Sequence, residues 1–273
     1  MIQFNLGSHQ QTVFAFDRLA QNYDDTFTRS AIGRAQRGAI WDILPKFFNS
    51  GDRVLELNCG TGEDAIFLAR RGISVFAYDA SQRMVKVARD RVLHESLDDR
   101  VHVERLATED LGALPQNQQF DGAFSNFSGL NCVADLEATA WHLSRLVKPG
   151  ASIVICLCTR FCFFEILWFL AHGELRKAFR RTSGRARARL EGFQVQLQYP
   201  TLRRLRSTFS LDFNLRFCRG VGIFVPPSYV EPWACNHPRT LRMLESIDRL
   251  ICDLPGFRVV GDHFLVCFER RDT

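Results

Sequence analysis

Hydroxyl-bearing aromatics are scarce in this chain. Its 273 residues hold 4 Tyr, 4 Trp and 3 Met against 24 Phe. So much purely apolar aromatic surface must be buried in a core or wrapped around an apolar substrate. No CxxC pair occurs among the nine cysteines, Cys59, Cys132, Cys156, Cys158, Cys162, Cys218, Cys235, Cys252 and Cys267, and their number is odd. The opening run MIQFNLGSHQ has no basic segment leading into an apolar one, so no secretion signal is expected. Reduced thiols in a cytoplasm are the expectation. Cys156, Cys158 and Cys162 lie close together and two of them share a strand face, which makes a metal site conceivable. Small apolar packing is the expected role, and no metal is expected. No uninterrupted membrane-length run is present: the most apolar stretch, 151–171, is broken by Thr159-Arg160 and Glu165 and reads as a strand followed by a helix. Repeats and low-complexity linkers are also lacking, and the composition is that of an ordinary globular protein.

Charge is uneven. Residues 160–190 carry eight Arg/Lys and two Glu, a net +6 within a chain of net +5, so the remainder is near neutral. The basic character belongs to one segment.

Apolar positions from Phe14 through Leu19, Ile32, Ile40 and Trp41 predict helix over about 13–48, closed by the turn cluster Asn49-Ser50-Gly51-Asp52. Strands are expected at 53–57, 74–78, 101–106, 120–125 and 152–158, with helices at 63–71, 81–93 and 135–146 between them. A polar turn at 115–118 precedes the fourth strand, and a Lys148-Pro149-Gly150 turn precedes the fifth. Strands alternating with helices imply a parallel sheet covered on both faces. The second half is less regular. A helix is expected over 161–181, very apolar at its start and basic at its end. Strand alternation follows at 193–199, then a short helix at 201–209, alternation again at 213–217, a Pro-rich loop at 226–233, a helix at 238–250 and a last strand at 263–269.

The glycine turn Glu56-Leu57-Asn58-Cys59-Gly60-Thr61-Gly62 joins the first strand to its helix. Residues without Cβ let the backbone turn sharply and approach a ligand. The third glycine of the dinucleotide fingerprint G-x-G-x-x-G is missing, which argues against an NAD-linked oxidoreductase. The run instead resembles the (E/D)-x-G-x-G-x-G motif of class I, Rossmann-like methyltransferases that use S-adenosylmethionine (SAM). Asn58 stands for the first glycine, and Asn tolerates left-handed backbone. Four further elements follow in the order of that family: Asp79 at the end of the second strand, Ala107-Thr108-Glu109-Asp110-Leu111 after the third, Phe120-Asp121-Gly122-Ala123-Phe124 with Ser125-Asn126-Phe127, and Leu146-Val147-Lys148-Pro149-Gly150. Phe16-Asp17-Arg18-Leu19-Ala20-Gln21-Asn22-Tyr23-Asp24 is similar to the segment that closes over SAM in small-molecule methyltransferases, including the quinone-biosynthesis C-methyltransferases.

The resemblance implies an α/β fold: a seven-stranded, mostly parallel sheet with an antiparallel last strand and helical lid insertions, in one globular domain. Residues 1–50 form a helical segment closing over the cofactor and 51–159 the SAM-binding core. Residues 160–200 form a lid, and 201–273 complete the sheet, with a helical insertion near 226–254. It also implies the cofactor site. Glu56, Asn58, Cys59, Gly60, Thr61 and Gly62 lie at the methionine part, and Asp79 takes the ribose hydroxyls. Ala80, Ser81 and Met84 flank ribose and adenine, Thr108, Glu109, Asp110 and Leu111 sit at the adenine, with Asp110 matching the family pattern better than Glu109, and Ser125, Asn126 and Phe127 reach the methionine end. Tyr23 sits near the sulfonium, and Arg37 binds the SAM carboxylate in competition with Arg29 and Arg34. S-adenosylhomocysteine (SAH) is the product.

Methyl transfer is an in-line displacement at carbon, for which positioning dominates and a base is needed only when the acceptor must lose a proton. Candidate bases by residue type are His9, Tyr23, His142, His172, Tyr229 and His237; no pattern selects among them. A small, hydrophobic or lipid-like acceptor fits the Phe-rich start of the 161–181 helix. Its basic end, with Arg185, Arg187 and Arg189, reads chiefly as a solvated helix end. Peripheral contact of 161–189 with an anionic membrane is the second reading, and nucleic acid the weakest. The alternative function is a SAM-binding partner or scaffold without methyl transfer.

Overall fold

The computed structural model describes residues 7–115 and 119–272. Residues 116–118, most of the expected polar turn, lie outside it. In chain order the main elements are α1 (Ser8–Leu19), α2 (Ala31–Trp41), β1 (Arg53–Leu57), α3 (Glu63–Ala69), β2 (Ser74–Asp79), α4 (Gln82–His94), β3 (Val101–Arg105), β4 (Phe120–Ser125), α5 (Leu136–Leu146) and β5 (Val147–Cys158). They continue with α6 (Phe163–Ala171), α7 (Leu175–Ala178), β6 (Arg185–Leu190), β7 (Phe193–Gln198), α8 (Leu202–Phe209), β8 (Phe213–Val221), α9 (Glu231–Asn236), α10 (Pro238–Ile251) and β9 (His263–Arg270).

Seven strands form one sheet in the order β3-β2-β1-β4-β5-β9-β8, and β6 and β7 form a separate hairpin. The pairs among β3, β2, β1, β4 and β5 are parallel, and β9 runs antiparallel to both its neighbours. The expected antiparallel last strand is thus present. Val54 and Leu55 go to opposite faces, as the two-residue repeat of a strand requires. Val54 joins Ala65, Leu68, Val85 and Phe124 under α3 and α4, while Leu55 joins Phe120, Leu143 and Phe268 under α5. Each such aliphatic side chain, wholly buried, contributes about 1.5–3 kcal/mol. Strand order reverses between β1 and β4, and the crevice at their carboxyl ends is where ligands bind in sheets of this kind.

Several expectations need correction. The single helix over 13–48 is broken by a π-helical turn at Asp24–Thr28 and restarts at α2, where the Ser30 hydroxyl accepts from the Gly33 N–H. The expected 161–181 helix is interrupted at Gly173 (φ +74°), leaving α6 and the one-turn α7. β5 starts five residues earlier than expected; its Lys148-Pro149-Gly150 turn survives as an irregularity in the pairing with β4. Arg185, Arg187 and Arg189 do not prolong a helix end: they alternate along the exposed face of β6. Arg181 is not solvated either, since it is buried against Glu165 and Asp262, and Arg180 shares Glu165 with it.

Candidate active site

The carboxyl ends of β1, β2 and β4 open into one cleft, roofed by α1 and bordered by β7. It encloses about 1040 Å³ of empty space, open mouth included. The turn after β1 forms its floor. Asn58 (φ +55°), Gly60 (φ +55°) and Gly62 (φ +78°) are all left-handed, so Asn here does conformationally what glycine does in the related motif. Gly62 also lets α3 approach α4: a Cβ there would meet the Ala88 Cβ at 3.0 Å. The Asn58 Oδ1 accepts from Thr108 Oγ1 at 3.3 Å and from Ser125 Oγ at 3.4 Å, tying the β1 turn to the ends of β3 and β4. Gly129 makes this possible, because a Cβ at 129 would lie 2.4 Å from the Asn58 Cβ.

Asp79 holds the neighbouring corner. Its Oδ2 accepts from the Gly60 N–H at 2.9 Å and its Oδ1 from the Ser81 N–H at 2.8 Å. Burial pushes its carboxyl up to about 6 despite these two donors, which favour the ionised form. Each oxygen keeps a lone pair for a further donor, the arrangement two vicinal hydroxyls require.

Both carboxylates of the 16–24 motif are anchored. Asp17 Oδ1 accepts from the Ser81 hydroxyl at 2.6 Å and from the Arg83 N–H at 3.0 Å, clamping α1 to the start of α4. Asp24 accepts from the Thr61 hydroxyl at 2.7 Å and pairs with Arg91. Phe16 and Tyr23 face the cleft. Burial pushes the Tyr23 hydroxyl up to about 12, so at neutral pH it is a donor and not a base.

Arg37 is buried with Asp64, its Nη1 donating to Asp64 Oδ2 at 2.5 Å. Asn126 Nδ2 and Trp41 Nε1 donate to the same carboxylate at 3.0 and 2.6 Å. The guanidinium lies 4.8 Å over the Phe127 ring and lines the cleft, and its Nε is unpaired. Of its two competitors, Arg29 pairs with Asp25 on the surface, and Arg34 donates to the Arg29 carbonyl; neither lines the cleft.

Of the residues singled out from sequence, Tyr23, Arg37, Asn58, Cys59, Gly60, Thr61, Asp79, Ala80, Ser81, Met84, Thr108, Glu109, Asn126 and Phe127 line the cleft together. Glu56, Gly62, Asp110, Leu111 and Ser125 lie outside its wall. Glu56 is buried beneath the turn with an unpaired Oε2, its carboxyl held well above the usual range by burial and by Asp64. Among the candidate bases, His9 is at the mouth, 3.5 Å from Glu109. His142 packs against Gly112 and His172 and His237 against Trp168 and Trp233, while Tyr229 donates to Glu165 at 3.0 Å; all four lie away from the cleft. The wall also contains Thr12, Ser128, Gly129, Cys132, Val133 and Leu197, which no motif marked.

The donor set fits SAM on structural grounds. The space before Gly60 is empty to 4 Å, Asp79 holds a carboxylate at the cleft wall against the turn, and Arg37 carries an unpaired buried N–H.

Comparison with known proteins agrees with this geometry. The family described as a methyltransferase domain matches residues 54–150. A demethylmenaquinone methyltransferase of Clavibacter sepedonicus is 33% identical over 141 residues, 52% of this chain and 55% of that protein. A 2-phytyl-1,4-naphtoquinone methyltransferase of Synechococcus elongatus is 30% identical over 144 residues, 51% of this chain and 60% of that protein. The chain therefore spans little more than half the length of these curated relatives. Among solved structures, the [4+2]-cyclase SpnF superposes with a TM-score of 0.65 over 97% of each chain at 16% identity. A DhpI–SAH complex superposes with a TM-score of 0.59 over 98% of each chain, also at 16% identity. Residues 54–150 match the methyltransferase-domain family, and the chain as a whole has the fold of class I, Rossmann-like methyltransferases.

Proposed function

We propose that this chain is a SAM-dependent methyltransferase acting on a small, apolar acceptor. The observation that carries the reading is the joining of Asp79 to the left-handed Asn58–Gly62 turn through the Gly60 N–H, in a cleft roofed by an anchored helix. SAM bound there supplies an electrophilic methyl on a sulfonium. Asp79 accepts the ribose hydroxyls, Met84 and Thr108 flank the adenine, and Glu109 rather than Asp110 faces it. Arg37 holds the carboxylate, and the Asn58–Gly62 turn lies along the methionine chain. α1, held by Asp17 and Asp24, excludes water.

The acceptor enters on the side of Ser128, Cys132, Val133 and Leu197, between α1 and β7. Relatives named for demethylmenaquinone and phytyl-naphthoquinone support an apolar ring as acceptor. A second, finer reading rests on the face of residues 161–179. Phe161, Phe163, Leu167, Leu170, Leu175 and Phe179 are exposed beside Arg176 and Lys177. Among the described residues no helix is long and apolar enough to cross a membrane. This face supports peripheral contact with anionic lipid, from which an apolar acceptor would be drawn. Of the expected covering parts, α1 and β7 border the site in this reading, whereas no residue of 226–254 lines the cleft.

Calorimetric titration with SAM, SAH and NAD tests the cofactor: binding of the first two alone is expected, and NAD binding in their place would sink the proposal. Sedimentation with phosphatidylserine vesicles tests the surface, with Leu167→Asp expected to abolish co-sedimentation; wild type that stays in the supernatant removes the membrane reading.

A further inference from the structure

A group of polar side chains lies directly under the acceptor end of the cleft. β5 ends at Cys158 and β9 begins at His263, and the two are cross-strand partners. Side chains of directly opposed residues in an antiparallel pair stand on the same face within contact range. His263 is buried, with Asp262 Oδ2 3.4 Å from its Nδ1. Asp262 is fixed in turn by Arg181 Nη2 at 2.8 Å and Gln36 Nε2 at 3.2 Å. On its other side Cys158 Sγ lies 2.8 Å from Ser128 Oγ, and Ser128 lines the cleft. A carboxylate, an imidazole, a thiol and a hydroxyl thus form a row from the interior to the cleft wall.

The backbone that presents Ser128 is strained. Phe127 (φ +41°) and Ser128 (φ +68°) are consecutive non-glycine residues in the left-handed region. Such conformations persist only where the surroundings enforce them, and they gather at functional sites. Here the Ser128 N–H donates to the Cys156 carbonyl at 3.2 Å, Phe127 stands edge-on to His263 at 5.5 Å, and the Asn131 side chain donates to and accepts from the Cys158 backbone. The strained turn holds the Ser128 hydroxyl between the cleft and the thiol.

We propose that Ser128, Cys158 and His263 form the proton-accepting path of the acceptor site, with Ser128 touching the acceptor and Cys158, as a thiolate paired with the His263 imidazolium, receiving the proton through it. The proposal rests on the methyl-transfer reading above and assigns it a hydroxyl-bearing acceptor such as a quinol. In the step, the acceptor O–H gives its proton to Ser128 Oγ as the Ser128 proton passes to Cys158 Sγ. The electron pair freed on the acceptor, at oxygen or through the ring carbon beside it, forms the bond to the methyl carbon, and the old carbon–sulfur pair leaves with sulfur. Transfer to carbon then releases that carbon's own hydrogen as a proton while the oxygen regains one, so one proton is lost per methyl in either case. The thiol returns its proton to solvent after product leaves.

The charges around Cys158 favour this state. His263 faces it from β9, Asp262 from the residue before β9, Arg181 from the segment after α7, Tyr199 from the residue after β7, Cys132 from the turn after β4 and Cys156 from its own strand. Burial raises the thiol, but His263 and Arg181 outweigh burial and bring it below the usual thiol range. Burial lowers His263, but Cys158 and Asp262 outweigh that and raise it. Cys132 and Cys156 face neither cation, and Arg181 does not offset burial at Cys162, so burial leaves all three raised.

Two measurements decide it. The first is the ultraviolet thiolate absorbance of the folded protein against pH, as wild type minus Cys158→Ser. A thiolate present below the pH at which an ordinary cysteine thiol ionises is expected, moved to higher pH by His263→Gln. A Cys158 that titrates as an ordinary thiol, or that ignores His263→Gln, overturns the proposal. The second is methyl transfer to chemically reduced 2-phytyl-1,4-naphthoquinone. Ser128→Ala is expected to lower kcat about 100-fold with SAM affinity unchanged, and Ser128→Thr to recover part of it. His263→Gln is expected to move the acid limb of the kcat profile to higher pH. Ser128→Ala at full kcat overturns the proposal alone, whereas wild type that binds no SAM overturns the parent reading and this one with it.

Discussion

Acidification is expected to weaken SAM binding through one residue, Asp79. Its two oxygens already accept from the Gly60 and Ser81 N–H groups, and burial raises its carboxyl from 3.8 to about 6. Accepting two ribose hydroxyls requires the carboxylate, so binding competes with protonation. With a free-state value of about 6, nearly all of the protein is competent at about pH 7 and about one molecule in eleven at about pH 5. The apparent dissociation constant therefore rises about tenfold over that interval, or about 1.4 kcal/mol. The sign for folding is opposite. The folded state retains a proton that the unfolded chain loses between 3.8 and about 6, so Asp79 opposes folding increasingly as the pH rises through that window, by at most about 3 kcal/mol. In Asp79→Asn the amide leaves one of the two backbone N–H groups facing another donor, which costs about 1–3 kcal/mol, and forfeits a charge-assisted bond to ribose. Affinity at neutral pH is expected to fall at least about tenfold and to lose its acid dependence. Isothermal titration calorimetry of both proteins across this interval is the assay. Wild-type affinity that stays flat, or an acid dependence that survives in Asp79→Asn, would refute the reasoning.

Three further outcomes follow from the geometry. Gly129→Ala places a Cβ 2.4 Å from the Asn58 Cβ and is expected to cost about 1–3 kcal/mol in chemical denaturation while weakening SAM binding, because the β1 turn must shift. Arg181→Ala takes from the buried Asp262 its guanidinium partner, leaving Gln36, and from Glu165 one of its two arginines, and is expected to destabilise by about 3–5 kcal/mol, read as a drop of about 10 °C in Tm; an unchanged Tm would contradict the buried pairing. Asp17→Asn loosens α1 from Ser81 and Arg83, so limited proteolysis near residue 20 is expected to quicken in the free protein and to slow on SAM addition.

The parallel half of the molecule was legible because its signals are local. Apolar runs such as Val54-Leu55 mark strands buried on both faces, and Asn58, Gly60 and Gly62 mark a turn that ordinary residues resist. Asp17 and Asp24 were visible as motif letters, but their partners Ser81, Arg83, Thr61 and Arg91 come from distant parts of the chain. β6 escaped notice because two of its three inward positions are Ala186 and Ala188, too small to give an apolar alternation with Leu190, while its outward arginines suggested a solvated helix end. Gly129, Cys132 and Leu197 carry no mark of their own; packing alone brings them to the cleft. The row from Asp262 to Ser128 depends on the antiparallel register of β5 with β9, and no spacing along the chain encodes that pairing.

The central claim, methyl transfer in this cleft, is tested most directly by incubating the protein with methyl-labelled SAM and reduced 2-phytyl-1,4-naphthoquinone and measuring label in the extracted acceptor together with SAH. Equal amounts of both, lowered together in Asp79→Asn at limiting SAM, are expected. SAM that binds the cleft yet yields neither labelled acceptor nor SAH would contradict the account.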